Sequence, residues 1–204
     1  MPAEKQGQFG CGNVWTWVAI DAETKPIPTW TVGKRDAGTA HALIEDLAGR
    51  LSNRIQLTTG GLRVYLDAVE SAFGSNIDHS MLVNMYGGDS GADSGKYSPA
   101  ECIGSRVIPI IGKPKVQHIS TSFVERQNLT IRMKMRRLTR LTNAFSKRVD
   151  NLRYSIAIHF MHYNFCRLHQ TLRVTPAMEA RVTDHVWTLG GVVSLLNRQE
   201  QIAA

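Results

Sequence analysis

The order in which apolar patterns occur constrains this chain most. Residues 14–21 read VWTWVAID and residues 27–32 read IPTWTV. Both runs are dense in β-branched and aromatic residues, the composition of strands. Lys25 and Pro26 lie between them and predict a turn, so the two runs read as a hairpin, with Pro28 best suited to an edge or a strand start. The period then changes. Asp36 can cap a helix running to about Leu51, with Ala40, Leu43, Leu47 and Leu51 on one face. A short strand at 55–59 (IQLTT) and a helix at 62–73 follow, the helix striped by Leu62, Leu66, Val69 and Phe73. Residues 81–86 and 107–111 are candidate strands. Helical patterns cover about 121–137 and 146–165, the second with Val149, Leu152, Ile156, Phe160 and Tyr163 at helical spacing. Thr175-Pro176 is an N-cap and first-turn pair for a further helix, and 186–196 reads as a last short helix or a tail. A hairpin followed by alternating elements predicts an α/β fold, a mixed sheet flanked by helices.

Bulk properties narrow the class. The chain has 204 residues, 43% hydrophobic and 20% charged, as expected of an ordered globular protein. The net charge is +7 and the pI about 9.6. Such a balance predicts a polyanionic partner, nucleic acid by default, or simply a basic surface. The three cysteines, Cys11, Cys102 and Cys166, form no CxxC pair and no even set. Neither a disulfide framework nor a cysteine zinc site is expected, and a reducing, cytoplasmic location fits. No segment is apolar enough for a signal peptide or a membrane span. Residues 1–13 are polar and predict a flexible lead-in, as does the glycine-rich stretch at 87–95.

Two carboxylates stand out. Asp21 ends the first apolar run, where a side chain can project into the crevice of an α/β sheet; on its own, Asp-Ala-Glu-Thr-Lys favours a turn aspartate. Glu125 begins a helical segment, a position that the helix dipole alone favours. On a helix, Asn128, Leu129, Arg132 and Arg136 would share its side. Between 126 and 153 the chain carries Arg126, Arg132, Lys134, Arg136, Arg137, Arg140, Lys147, Arg148 and Arg153 against Asp150 alone. That clustering suits contact with a phosphodiester backbone, or an ordinary cationic helix face. Asp67, inside the second helix, reads as a surface charge. His159 and His162 are three apart, a spacing that can bind metal, but no third ligand is evident and packing or phosphate contact is favoured. Trp15, Trp17 and Trp30 read as core or cross-strand contacts of the hairpin.

The segments HISTSFVERQNLTIRMKMRRLTRLTNAFSK (118–147) and HYNFCRLHQTLRVTPAM (162–178) resemble the C-terminal half of insertion-sequence DDE transposases. Within the second lies a pattern carried by Tyr163, Asn164, Arg167, His169, Leu172, Thr175 and Pro176. VWTWVAIDAETK (14–25) is similar to the first catalytic strand of that family, and QLTTGGLRVYLDAVESAFG (56–74) to the second. The resemblance covers roughly residues 9–190, with its motifs in the family's order. It implies a ribonuclease-H-like core at 14–170, between the lead-in 1–13 and a C-terminal helical tail at 171–204. It also implies a triad of two aspartates and a glutamate holding two divalent ions, Mg2+ or Mn2+, that cut DNA and join its 3′ end to a target. DNA would be the partner, a homo-oligomer on DNA the assembly, and the bacterial cytoplasm the location. Asp21 matches the first acid and Glu125 the third, as catalytic and metal-binding residues. Arg126, Arg132, Lys134, Arg136, Arg137 and Arg140 would contact DNA. Tyr163, Asn164, Arg167 and His169 would close the last helix against the core.

The second acid is missing. Where the family resembles TTDG, this chain reads Thr58-Thr59-Gly60-Gly61. Glycine cannot ligate a metal, and Asp67 lies about two helical turns away, some 10 Å along the axis. Metal binding is expected to be weakened and catalysis impaired. The core also begins almost at once, so recognition of element ends by a preceding segment is not expected. Two other readings remain open. One is a non-catalytic DNA-binding remnant acting as a transposition inhibitor, which would depend on Arg132 and Arg136 rather than on Asp21 and Glu125. The other, weaker, is a nuclease acting on RNA–DNA hybrids.

Overall fold

The N-terminal hairpin forms as its composition predicts, with shorter strands. β1 spans Trp15–Val18 and β2 spans Trp30–Gly33, antiparallel, with Trp15 opposite Gly33 and Val18 opposite Trp30. Pairing continues raggedly beyond them through Ala19 N to Thr29 O (3.1 Å) and Asp21 N to Pro26 O (3.0 Å). Residues 27–29, expected in the second strand, lie outside it. In this computed structural model residues 14–87, 102–139 and 148–202 are described, with side chains to residue 195. The lead-in, residues 88–95 of the glycine-rich stretch and Arg140 lie outside the described residues. The chain divides into two units, Met1–Lys34 with Arg126–Ala204, and Arg35–Glu125.

The inner unit, Arg35–Glu125, is a small α/β assembly. Asp36 caps α1 (Ala37–Arg50) by accepting from Thr39 N, and Ala40, Leu43, Ile44 and Leu47 form its buried stripe. β3 (Ile55–Gly60) leads through α2 (Val64–Phe73) to β4 (Ile77–Tyr86), which lies parallel to β3; β5 (Cys102–Ile111) then pairs antiparallel with β4. The sheet order is β3-β4-β5, a mixed sheet. At its start Asp78 Oδ1 accepts from Arg54 Nη2 and from Lys113 N, both at 2.8 Å. Gly112, just before Lys113, has φ 70°, and a Cβ there would run into Asp78 Oδ1. The Arg54 guanidinium holds the Asp78 carboxyl below its usual range. Beside it His79 is fully buried, with Nε2 at 2.9 Å from Thr59 Oγ1.

The outer unit joins the hairpin to the C-terminal helices. α3 (Ser122–Lys134) starts in the inner unit and continues into the outer one; α4 (Val149–Met161) ends in a single π-helical turn at His162–Cys166, and α5 (Pro176–Glu179) and α6 (Leu189–Ile202) complete the order. Thr175 caps α5 and Pro176 opens it, the preorganised start that this pair favours. The core packs Ile27 and Val32 against Ile131 of α3 and against Ile156, Phe160 and Tyr163. Trp30 and Phe160 meet with ring centroids 5.8 Å apart. Trp17 is buried, while Trp15 remains 46% exposed. The fold is thus mixed α/β, in the form of a three-stranded mixed sheet and a separate two-stranded one. No helix among the described residues is long and apolar enough to cross a membrane.

Asn164 ties the hairpin loop to the C-terminal motif. Its Oδ1 accepts from Ile27 N and its Nδ2 donates to Ile27 O, both at 2.9 Å. Tyr163 adds a bond from its hydroxyl to Lys25 O at 3.1 Å. Ile27 is only 3% exposed, so its backbone groups have little water to turn to. Asn164→Ala is expected to cost about 2–4 kcal/mol, the price of leaving two such groups unpaired. Asn164→Asp would keep one bond and set a carboxylate against Ile27 O. Urea unfolding of both variants checks this; a loss below about 0.5 kcal/mol would show that water replaces the amide.

Burial lowers the His79 pKa from 6.5 to about 4. Between those values the unfolded chain binds more protons than the folded one. Stability therefore rises with pH through that window and is lost as pH falls through it, by up to roughly 3 kcal/mol from this group. Burial also lowers His159 and His169, so the contribution of His79 is read as a difference. In unfolding titrations from pH 4 to 7, His79→Leu should show a shallower pH slope than the unaltered chain.

Candidate functional site: the carboxyl end of the parallel strand pair

The parallel pair sets the geometry. Gly60 ends β3 and lies opposite Leu82 of β4. Side chains alternate faces along a strand, so position 60, Leu82 and Asn84 share one face, and Val83 points to the other. The glycines agree: a Cβ on Gly61 would press on the Val83 methyls at 3.2–3.3 Å, whereas a Cβ on Gly60 meets nothing within 4 Å among the described residues. Asn84 in turn reaches Glu125, with Nδ2 at 3.5 Å from Oε1. Thr121 donates its hydroxyl to the same Oε1 at 2.8 Å. Thr121 O accepts from Glu125 N at 3.0 Å, so the first turn of α3 fixes both ends of that residue. Glu125 is exposed, and its Oε2 has no partner among the described residues. Position 60 and Glu125 thus belong to one end and one face of the inner unit.

Asp21 belongs to the outer unit and carries out turn chemistry there. Its Oδ1 accepts from Glu23 N at 2.7 Å and from Thr24 N at 3.2 Å, an Asx turn. The side chain is exposed and Oδ2 has no partner among the described residues. Asp67 is a surface charge, as expected, and it pairs with His41 Nε2 at 2.8 Å. Among the described residues no group of three or more His, Cys, Asp or Glu side chains converges to hold a metal ion. A pair of bridging ions needs several shared carboxylates, and position 60 supplies none.

The basic residues follow the expected helix only part of the way. Arg126, Arg132 and Lys134 are exposed on α3, while Gln127 and Ile131 face inward. The helix ends at Lys134, and Met135 is extended, with φ −112° and ψ 100°. Arg136 and Arg137 therefore sit on a separate 3-10 turn, Arg136–Leu138, and the stripe through Arg136 that an unbroken helix would make is interrupted. Both are exposed. Arg126, Arg132, Lys134 and Arg136 have no carboxylate partner among the described residues. Nearby, His159 Nε2 and His169 Nδ1 are buried without partners among the described residues. The His159 pKa is lowered chiefly by burial, then by His162, Lys134 and Arg167.

Asn84 could not be picked out from the sequence as a neighbour of Glu125. Thr121 lies one helical turn before it and was in principle visible; Asn84 reaches it only through the β4 register. Comparison with protein-family models, curated proteins and solved structures finds no match for this chain.

Because a Cβ at position 60 meets no atom of the described residues within 4 Å and the backbone there has no positive φ, Gly60→Asp should fold as well as the unaltered chain, with a stability change below about 0.5 kcal/mol. Gly61→Asp must displace Val83 and should cost about 1 kcal/mol or more. Parallel urea melts compare the two; equal losses would mean that the faces are misassigned.

Proposed function

We propose that this chain is the ribonuclease-H-like catalytic core of a DDE-type DNA transposase in which DNA binding persists and strand cutting is impaired. The observation that carries the reading is the shared face of position 60 and Glu125 at the carboxyl end of β3 and β4. Open α/β sheets bind ligands in that region; Gly60 ends β3 there, and Glu125 is in contact with Asn84 of the neighbouring strand. Asp21 is the first acid in this reading and Glu125 the third. Divalent Mg2+ or Mn2+, when bound, would activate the attacking hydroxyl and stabilise the leaving oxygen. The chain's own part is to hold the DNA and the ion, and with glycine at position 60 the ion is held weakly. The exposed cations Arg126, Arg132, Lys134 and Arg136 suit phosphodiester contacts. A homo-oligomer on DNA belongs to the same proposal.

A second reading shares the DNA contacts and omits the chemistry. As a non-catalytic remnant, the chain would occupy DNA or join active subunits and inhibit them. Gly60 favours it, together with the cations Arg126, Arg132, Lys134 and Arg136, which have no carboxylate partner among the described residues.

A nicking and strand-joining assay on a branched DNA substrate, in Mg2+ and in Mn2+, separates the two. The unaltered chain should bind the DNA and process it poorly, and Gly60→Asp should raise product formation by at least about 100-fold, the usual scale of a lost catalytic group. Equal and robust activity in both would overturn the impairment. Inactivity of both, with DNA binding retained, would favour the remnant.

A further inference from the structure

The turn that carries Asp21 is held from outside itself. Residues 21–26 first close on one another: Asp21 N donates to Pro26 O at 3.0 Å, and Lys25 N donates to Asp21 O at 3.2 Å. Inside that ring Asp21 Oδ1 accepts from Glu23 N at 2.7 Å and from Thr24 N at 3.2 Å. One carboxylate oxygen is engaged in this way, and Oδ2 has no partner among the described residues. The Asp21 side chain is exposed. Its direction is therefore set by the shape of the turn and not by side-chain packing.

That shape is locally unfavourable. Lys25 has φ 68°, in the left-handed region that residues with a Cβ seldom occupy. It also precedes Pro26, and a proline pushes the residue before it toward extended conformations. Glycine or asparagine would relieve such a position, and lysine stands there instead. A backbone outlier of this kind persists only where its surroundings over-determine it, and such outliers gather at functional sites.

The surroundings here come from the π-helical turn, 137 and 138 positions along the chain. The Tyr163 hydroxyl donates to Lys25 O at 3.1 Å. Asn164 exchanges two bonds of 2.9 Å with the backbone of Ile27. The chain is thus held on both sides of Pro26. The Tyr163 ring is 6% exposed and belongs to the core with Ile156 and Phe160. Phenylalanine would fill the same place. What the hydroxyl adds is the bond to Lys25 O.

We propose that Tyr163 is a positioning residue for Asp21: through the Lys25 carbonyl it holds the turn in the shape that fixes the direction of the Asp21 carboxylate. This rests on the reading of Asp21 as an acid of the reaction. Backbone amide exchange, followed by NMR on the full chain, tests the coupling without any reaction. Tyr163→Phe should speed exchange at Glu23, Thr24 and Lys25 about threefold to tenfold, the scale of one lost hydrogen bond. A hydroxyl that served global stability alone would leave these locally opening amides unchanged. The nicking assay is then run in the Gly60→Asp chain. There Tyr163→Phe should lower the maximal rate about tenfold and leave the half-saturating DNA concentration unchanged, because a small misplacement of a reacting group lowers rate rather than binding. Asp21→Asn in the same chain should abolish product. Circular dichroism melts confirm that each variant is folded. If Asp21→Asn abolishes product while Tyr163→Phe leaves either the turn amides or the rate unchanged, the reading of Asp21 stands and Tyr163 does not position it. If Gly60→Asp makes no product, or Asp21→Asn leaves product formation intact, the reading of Asp21 falls and this inference falls with it.

Discussion

Two stretches of chain build the outer unit, and a single amide side chain joins them at a point where neither could satisfy itself. Ile27 and Asn164 are 137 positions apart. Ile27 must be buried because its side chain belongs to the core with Ile156 and Phe160. Its N–H and C=O go in with it, outside any strand, and a buried unpaired backbone group is costly. Asn164 supplies one acceptor and one donor in the spacing of a peptide group, which makes it a one-residue extension of the sheet ladder. The π-helical turn at His162–Cys166 carries that side chain. Such turns are rare inside helices and tend to sit where a side chain has a particular task.

The inner unit is organised by a parallel pair that cannot close by a tight turn. Its two strands need a crossover, which α2 provides, and both therefore end at the same side of the sheet. This common end brings position 60 and Asn84 within reach of the first turn of α3. The opposite end, at Asp78, is occupied by ion pairing and by a glycine in a left-handed conformation. Among the described residues, one end of the sheet is held by the Asp78–Arg54 pair and the other carries position 60, Asn84 and Glu125.

Much of the element order was legible in the sequence, because the hydrophobic period changes clearly between strands and helices. The stripe of α1, the caps at Asp36 and Thr175, and the core residues Val149, Leu152, Ile156, Phe160 and Tyr163 all follow from local rules. Strand ends did not, since Ile27, Pro28 and Thr29 read as strand while the backbone of Ile27 pairs with the Asn164 side chain and Thr29 O takes the ragged bond from Ala19 N. The end of α3 was also hidden. Met135 breaks a run of good helix formers without proline or glycine, so no local signal marks it. Of the candidate site, Asp21 and Glu125 were visible as residues, each with an ordinary local explanation that the structure also displays. The convergence of position 60, Asn84 and Glu125 depends on strand register and could not be read from spacing.

Two glycines show how differently the fold treats the loss of a side chain. At Gly112 the backbone conformation and the Asp78–Arg54 pair leave no room for any other residue. At Gly60 the backbone is ordinary, and a Cβ there would meet no atom of the described residues within 4 Å. Natural selection acting through stability alone would therefore hold Gly112 and take no notice of position 60. A change there alters chemistry without a folding penalty in either direction, so neither its arrival nor its reversal requires a compensating substitution elsewhere in the chain.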